Sequence, residues 1–234
     1  LGLFTCNEQF GADASSLFNV ITGYSRPPEY KHFIVAPHGM RSFFEYMIRQ
    51  ETENAKKGLP SGITVKVNSL VDPKIIELLY EASKAGVRVQ LIVRGICCLI
   101  PGIEGVSENI TVMSIVGQLL EHSRIFRFEN AGNPRIYMGS ADWMPRNLDR
   151  RVELVFPIED ETQKARAFGI LDTMLSDTTN ARFMQSDTSY EHVDLRGKKK
   201  ISSQLTFYHE AQARLKELQS IEKDSVLIPI HSAE

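Results

Sequence analysis

The chain has 234 residues, 42% of them hydrophobic and 24% charged, and a formal net charge of −2. This composition is that of an ordinary globular protein able to bury a full core, and no apolar run approaches the roughly 20 residues that span a bilayer. With so little net charge, a polyanion would have to be held by a local basic cluster. The three cysteines, Cys97 and Cys98 among them, form no disulfide framework or zinc motif and fit a reducing cytoplasm.

The first residues are expected to be the end of a preceding region. The chain starts at Leu1, shows no signal peptide, and at residues 2–7 resembles a strand from the middle of a domain, which predicts a fragment of a longer protein. Consecutive prolines at Arg26-Pro-Pro-Glu cannot enter a helix interior or a central strand. We therefore expect a tail and linker at 1–28, a main domain at 29–220 and a flexible tail at 221–234.

Strand and helix patterns then alternate along the chain. A predicted strand at 33–36 is followed by a turn and by apolar residues with helical spacing that end near Gly58. Residues 63–68 alternate with the period of two that is typical of a strand. Asp72, placed directly before Pro73, is a predicted helix N-cap, so another helix should follow this strand.

A strand at 87–93 completes a βαβ unit, which implies a parallel pair of strands. Ligands of open α/β sheets bind beyond the carboxyl ends of the strands. Asn68 and Arg94, which each end a strand, should therefore lie at one rim, and Lys66 could line it as well. The Gly- and Pro-containing loop at 96–109 is long enough to indicate a functional segment.

The second half of the chain is predicted to contain a strand at 111–116, a β-hairpin over about 125–138, a buried strand at 152–156, a helix at about 159–175, a polar stretch at 180–200 and a closing helix from about 201. The fold class is therefore α/β, with a mixed, mostly parallel sheet flanked by helices. The hairpin should hold His122 at one strand end and Ser140 and Asp142 at the other.

Arginines are concentrated around this hairpin. Guanidinium groups match phosphate oxygens with two parallel hydrogen bonds and stay charged at any working pH, so the hairpin favours a ligand with several negative charges. The sequence shows no P-loop and no dinucleotide fingerprint, so a nucleotide would have to be bound in another way. Trp143, Cys97 and Cys98 are interpreted as buried packing residues.

His122 and the residues after the hairpin allow two readings. A lone His is more often a structural hydrogen-bonder, but His122 lies beside Arg124, where it could attack phosphorus or protonate a leaving phosphate. Ser140, Asp142 and Asn147 could cradle phosphate oxygens or could simply cap a turn. Arg94 could likewise be a phosphate clamp or a solvated strand end.

Two sets of residues carry a resemblance to known families. His122-x-Arg124, Glu129, Gly139-Ser140 and Glu153 resemble a variant of the phospholipase-D-type motif, with Arg for its Lys and Glu for its Asp. The longer strings resemble the C-terminal part of bacterial polyphosphate kinases of the long-chain polyphosphate-synthesising type, over about residues 1–219. These strings are EHSRIFRFENAGNP, SADWMPRNLDRRVE, VRGICCLIPGIEGVSENI and GLPSGITVKVNSLVDPKII.

The resemblance implies a phospholipase-D-like catalytic domain that reversibly transfers the γ-phosphate of ATP to polyphosphate. It implies one half of the active site here, with the phosphorylated His in the preceding domain and His122 supporting nucleotide binding and transfer. It also implies that Arg94, Arg124 and Arg151 bind phosphates, and that Arg151 and Glu153 join His122 as catalytic residues. Residues two apart in a strand share a face, so Glu153 should orient Arg151 or His122, although a structural ion pair would fit almost as well.

The expected partners are ATP or ADP, polyphosphate, the preceding domains and further copies in a homo-oligomer, with no nucleic acid. Mg²⁺ would arrive on the substrate phosphates, with its ligands mostly outside this chain. The expected location is the cytoplasm, with peripheral membrane association left open. Two alternatives are a phospholipase-D-type phosphodiesterase and a non-catalytic polyanion-binding module.

Overall fold

The computed structural model describes residues 1–26, 29–197 and 199–224. Within them one nine-stranded sheet has the order β1-β7-β6-β5-β2-β3-β4-β8-β9. The strands are β1 (Ile34–Ala36), β2 (Gly62–Val67), β3 (Arg88–Val93), β4 (Ile110–Ile115), β5 (Ile125–Phe128), β6 (Arg135–Gly139), β7 (Glu153–Pro157), β8 (Ala181–Met184) and β9 (Tyr190–His192). The helices are α1 (Glu8–Ile21), α2 (Met40–Lys56), α3 (Pro73–Lys84), α4 (Pro145–Asp149), α5 (Glu161–Leu175) and α6 (Ser203–Asp224).

The predicted βαβ unit forms the centre of the sheet. β2 and β3 pair in parallel, β4 continues in parallel beside β3, and every other neighbouring pair of the described strands is antiparallel. The mixed α/β sheet is therefore confirmed, but the expectation of a mostly parallel sheet is wrong. The connections after β1, β2, β3 and β7 bring the chain back in the same direction, but only those after β2 and β3 place the two strands side by side. From β4 to β5, β6 and β7 the chain reverses direction at each step, as hairpin-type connections require.

Local signals explain the helices around this centre. The side chain of Asp72 accepts a hydrogen bond from the backbone N of Ile75 at 3.0 Å, and Pro73 follows it, so the predicted N-cap of α3 is confirmed. Gly86 ends the turn after this helix with a φ of 93°, in the left-handed region that glycine adopts without strain.

The N-terminal region differs from its prediction. Residues 2–7 form no strand, and Asn7 instead caps the helix α1, which the sequence reading missed, by accepting from the backbone N of Gln9 at 2.9 Å. Asp13 on α1 accepts hydrogen bonds from three backbone N–H groups that lead into β1, the closest being that of His32 at 2.7 Å. The tail is thus tied to the domain that it precedes, and the boundary itself remains a prediction.

The C-terminal region also differs in part. The polar stretch at 180–200 contains β8 and β9, which lie at the edge of the sheet and expose many of their side chains. α6 continues to Asp224, so the first residues assigned to a flexible tail are helical. The rest of that tail, residues 225–234, lies outside the described residues, as do the prolines at 27 and 28.

Apolar side chains fill both faces of the sheet. One cluster lies under α2 and α3, and includes Trp143, which is fully buried between Phe44 and Phe126 with ring centroids 5.5 and 5.7 Å away. The prediction that Trp143 is a core residue is confirmed. A second cluster lies on the other face, where Leu171 and Met174 of α5 pack. In the described part of the chain, no helix has the length and apolar character needed to cross a membrane.

Candidate functional site

The site is built where several strand ends meet at one rim of the sheet. β2 and β3 end there because they are parallel, and β5 begins there because it runs antiparallel to β2. β6 is antiparallel to β5 and therefore ends at the same rim. β7 is antiparallel to β6 and begins there. The topology thus collects side chains that are far apart in the sequence.

Arg94 and Asn68 are joined across the ends of β3 and β2. The Nε of Arg94 donates to Oδ1 of Asn68 at 2.7 Å, and its Nη2 donates to the same oxygen. The prediction that both residues lie at one rim is confirmed. Because the carboxamide holds one side of the guanidinium, the opposite side keeps a fixed direction.

Arg124 and Asp142 form a bidentate pair at the centre of the rim. Nε and Nη2 of Arg124 donate to the two carboxylate oxygens of Asp142 at 3.1 and 3.0 Å. Oδ1 of Asp142 also accepts from the backbone N of Asn68 at 2.7 Å, and Asp142 is buried. Asp142 was expected to bind phosphate, but its oxygens are already used, and a carboxylate repels an anion. Its geometry is that of a group that orients Arg124 and the end of β2.

His122 is exposed in the loop just before β5, next to this pair. Its backbone carbonyl accepts a hydrogen bond from Nη1 of Arg124 at 2.9 Å. Partial desolvation, followed by the positive charges of Arg124 and Arg94, lowers the pKa of His122 below its ordinary value. The imidazole therefore faces solvent beside two guanidinium groups that favour its neutral form.

Lys66 differs from its prediction. It was expected to contact phosphate at the rim, but its side chain is fully buried, and its Nζ donates to the backbone carbonyls of Glu121 and Ser123 at 3.2 and 3.3 Å. Burial lowers the pKa of Lys66 to about 8. The ammonium therefore contacts the protein backbone on both sides of His122 and has no exposed surface to offer a ligand.

A second group of side chains surrounds Glu153 at the start of β7. The hydroxyl of Ser140 donates to Oε2 of Glu153, and Nδ2 of Asn147 donates to Oε1 at 2.5 Å. Nη1 of Arg151 lies 4.0 Å from Oε1, and the Arg151 side chain is half exposed. Glu153 was expected to orient Arg151 or His122, but its short contacts are to Ser140 and Asn147. Asn147 is itself buried, so its amide is committed to Glu153 and does not face a ligand.

The structure also shows where Glu129 and the two adjacent cysteines lie. Glu129, which stands where the phospholipase-D-type motif has Asp, lies beyond the far end of β5 and pairs with Arg127 at 3.3 Å. The whole of β5, about 13 Å at 3.3 Å per residue, separates it from the rim. Cys98 is exposed, although both adjacent cysteines were expected to be buried. Cys97 is half-buried, and burial raises the pKa of its thiol to about 11.

A network centred on Arg41 supports the site, and the sequence did not predict it. Arg41, at the start of α2, donates Nη1 and Nη2 to Asp72 at 3.0 and 2.6 Å and Nε and Nη2 to Asp149 at 2.6 Å each. Asp149 ends the short helix that carries Asn147, so Arg41 ties this helix to the start of α3. No local sequence signal links these three residues, because the chain separates each from the next by more than thirty positions.

The carboxylates at the rim do not fit a resident Mg²⁺ ion. Asp142 is occupied by Arg124 and Asn68, and Glu153 by Ser140 and Asn147, so neither has the free oxygens that Mg²⁺ requires. Among the described residues, no group of three or more His, Cys, Asp or Glu side chains is arranged to hold a metal ion. The prominent free charges at the rim are cationic.

Comparisons with known proteins point to one family. The family model described as polyphosphate kinase C-terminal domain 2 matches residues 33–204. A polyphosphate kinase from Lactiplantibacillus plantarum is 50% identical over 92% of this chain, and one from Vibrio cholerae is 41% identical over 88%. The crystal structure of the polyphosphate kinase from Porphyromonas gingivalis superposes with a TM-score of 0.86 at 35% identity, covering 91% of this chain and 33% of that protein. The chain spans about 30% of the length of the first curated relative.

Proposed function

This chain belongs to the polyphosphate kinase family, and on that premise we propose that it supplies one half of an active site that reversibly transfers the γ-phosphate of ATP to inorganic polyphosphate. The proposal treats the chain as the C-terminal part of a longer enzyme. The observation that carries it is the basic rim, where Arg94 and Arg124 are held by fixed partners beside the exposed His122. Phosphoryl transfer depends on positioning and on neutralising charge, and a preorganised basic rim provides both.

Arg94 is the group best prepared to bind the triphosphate. Its Nε and Nη2 are used on Asn68, which leaves Nη1 without a hydrogen-bond partner among the described residues. A guanidinium fixed on one side loses little freedom when phosphate oxygens bind on the other. Arg151 is half exposed and only loosely paired with Glu153, so it can move toward the same phosphates.

His122 would change its protonation when the substrate binds. The free rim lowers its pKa, but phosphate oxygens nearby would raise it and favour the imidazolium. The imidazolium can stabilise the charge on the transferred group and protonate a leaving oxygen. In this scheme the covalent phosphohistidine forms on the preceding part of the enzyme, and His122 does not carry it.

Other polar side chains at the rim hold its arginines in place. Asp142 orients Arg124, while Ser140 and Asn147 fix Glu153 near Arg151. A cleft of about 770 Å³ adjoins His122 and is lined by Leu120, Arg166 and Arg214 among others. The lining also contains the carboxylates of Glu121 and Glu210, so the cleft offers space, without an excess of positive charge, for further phosphates of a polyphosphate chain.

Mg²⁺ belongs to this proposal only as an ion carried by the nucleotide, where it would neutralise phosphate charge. Asp142 and Glu153, the carboxylates at the rim, are bonded to other residues, so the ligands of Mg²⁺ would be phosphate oxygens and groups of the preceding domains. We also propose a cytoplasmic reaction, with the preceding domains and further copies of the protein as partners.

The full-length protein tests this function directly. It should form acid-insoluble polyphosphate from ATP and should regenerate ATP from ADP and polyphosphate, while it leaves a generic phosphodiester intact. Hydrolysis of the phosphodiester without polyphosphate formation would instead favour the phospholipase-D-type reading. Retention of this chain on a polyphosphate matrix, without turnover by the full-length protein, would favour a polyanion-binding module.

A further inference from the structure

Lys66 places a charged side chain among apolar residues of the sheet. It lies on β2 between Ile92 of β3 and Ile125 of β5, both of which are fully buried. Lys66 is fully buried as well, so its ammonium is removed from water on an otherwise apolar face. Burial of a charged group is expensive unless the group is hydrogen-bonded, and a residue that bears this cost calls for an explanation.

The hydrogen bonds of Lys66 supply the explanation. Its Nζ donates to the carbonyl oxygens of Glu121 and Ser123, the residues on either side of His122. The carbonyl of His122 itself accepts from Arg124 at 2.9 Å. Three consecutive carbonyls are therefore held by two cations. The loop that carries His122 has no regular secondary structure, so these bonds take the place of a strand or helix ladder there.

A second anchor holds the same loop from the side of α6. The amide of Gln204 donates to the carbonyl of Leu119 at 2.8 Å and to Oε1 of Glu121 at 3.0 Å, and its oxygen accepts from the backbone N of Leu119 at 2.9 Å. Gln204 fixes the start of the loop, whereas Lys66 holds the peptide before His122 and the peptide after Ser123. Of Gln204 and Lys66, only Lys66 is bonded to backbone carbonyls on both sides of His122, while Arg124 holds the carbonyl between them.

We infer that Lys66 is a positioning residue for His122. Lys66 holds the backbone on both sides of His122 and does not contact the substrate. The inference rests on the proposed function for the part that concerns catalysis. The charged groups around Lys66 act on its pKa in both directions. Burial is the main cause that lowers its pKa, Arg94 and Arg124 add to the lowering, and Glu121 and Asp142 oppose it. The ammonium is thus the protonated donor at neutral pH despite its burial.

The substitution Lys66→Met in the full-length protein tests the inference. Methionine fills much of the space of the lysine stem but leaves the carbonyls of Glu121 and Ser123 without a donor. Val65→Ala is the matched control, because Val65 is the preceding residue of β2, is fully buried and faces the opposite side of the sheet. Both variants should lose stability, so they are compared at a temperature where both remain folded.

Two measurements separate positioning from a merely structural effect. Hydrogen–deuterium exchange followed by mass spectrometry should show faster exchange in the peptide containing residues 119–124 for Lys66→Met, and unchanged exchange there for Val65→Ala. Steady-state polyphosphate formation should show kcat lowered about 10- to 100-fold for Lys66→Met with KM for ATP little changed, since misplacement of a catalytic group costs rate on this scale. Val65→Ala should keep the wild-type kcat.

Each outcome decides one part of the inference. Unchanged exchange at residues 119–124 in Lys66→Met would overturn the positioning of the loop. Local loosening with a wild-type kcat would overturn its importance for transfer. If the wild type itself formed no polyphosphate, the proposed function would fail, and the exchange comparison would still support or overturn the part that Lys66 plays in holding His122.

Discussion

The guanidinium of Arg124 and the carboxylate of Asp142 meet through two parallel hydrogen bonds, from Nε at 3.1 Å and from Nη2 at 3.0 Å. Both side chains are largely buried, at 12% and 7% exposure. A lysine has a single ammonium and cannot make this planar double contact. The phospholipase-D-type motif has Lys at this position, so the pair gives a physical reason for the Arg in this chain.

The first prediction concerns the stability of this pair. Asp142→Asn leaves the guanidinium of Arg124 without a counter-charge in a buried position, which should cost about 3 kcal/mol of unfolding free energy. Urea unfolding of this chain measures the cost. Asp194→Asn is the control, because Asp194 pairs with Arg196 at 2.6 Å but on an exposed surface, where such pairs contribute about 1 kcal/mol or less. Equal effects of the two substitutions would show that burial adds nothing to the Arg124 pair.

The second prediction follows from the division of the active site. This chain alone should form no acid-labile, base-stable phosphohistidine when incubated with labelled ATP, because the His expected to carry the phosphoryl group lies outside it. The full-length protein under the same conditions is the positive control. Stoichiometric phosphorylation of His122 in the isolated chain would reverse the assignment of the two half-sites.

The third prediction assigns phosphate binding to Arg94 and Arg151. Replacing either residue by Ala in the full-length enzyme should lower kcat/KM by an amount that corresponds to about 2–4 kcal/mol of transition-state stabilisation. Arg88→Ala is the matched control, because Arg88 is an exposed arginine at the opposite end of β3 from Arg94. Wild-type kinetics for Arg94→Ala and Arg151→Ala would exclude both from the site.

The fourth prediction concerns pH and the buried Lys66. Its pKa is lowered from 10.5 to about 8, so between these values the unfolded chain binds a proton that the folded protein does not. The contribution of Lys66 to the unfolding free energy should therefore rise with pH over this window, by about 3 kcal/mol in total. The measurement is the difference in unfolding free energy between wild type and Lys66→Met at pH 7.5 and at pH 10. A difference that does not change with pH would contradict the lowered pKa.

The sequence correctly predicted the features that local patterns of residues determine. The N-cap of Asp72, the strands that end at Asn68 and Arg94, and the hairpin after His122 all follow from local patterns, and the rim follows from the direction of the strands. α1 was missed because Gly11, Ser15 and Ser16 interrupt its apolar pattern. β8 and β9 were missed because strands of four and three residues are too short to show a regular alternation of apolar and polar side chains.

The contacts within the site could not be predicted in this way. Lys66, Asp142 and Asn147 were expected among the phosphate-binding residues, and they do lie near the rim. Their partners, however, are two backbone carbonyls, a guanidinium and a carboxylate. Which polar group faces the ligand and which faces another residue depends on distances of a few ångströms, and these are set by the packing of strands against each other.

The last prediction concerns His122. A structural role and a chemical role of this residue predict different results when it is replaced. The described residues give its exposed imidazole no hydrogen-bond partner, so a purely structural His122 would tolerate replacement by Gln with little loss. If His122 acts as an imidazolium, Gln can supply neither the charge nor the proton, and polyphosphate formation by the full-length enzyme should collapse while the protein stays folded.

The pH dependence of the wild type provides the independent check. Desolvation, Arg124 and Arg94 lower the pKa of His122 in the free enzyme, whereas bound phosphates raise it. The active proton is lost as the pH rises, so the descending limb should lie at lower pH in kcat/KM, which reports the free enzyme, than in kcat, which reports the complex. His122→Gln should abolish this displacement along with the activity. Near-normal turnover of His122→Gln, with the descending limbs of kcat and kcat/KM at the same pH as in the wild type, would contradict a chemical role for His122. Transfer would then depend on Arg94 and Arg124 without it.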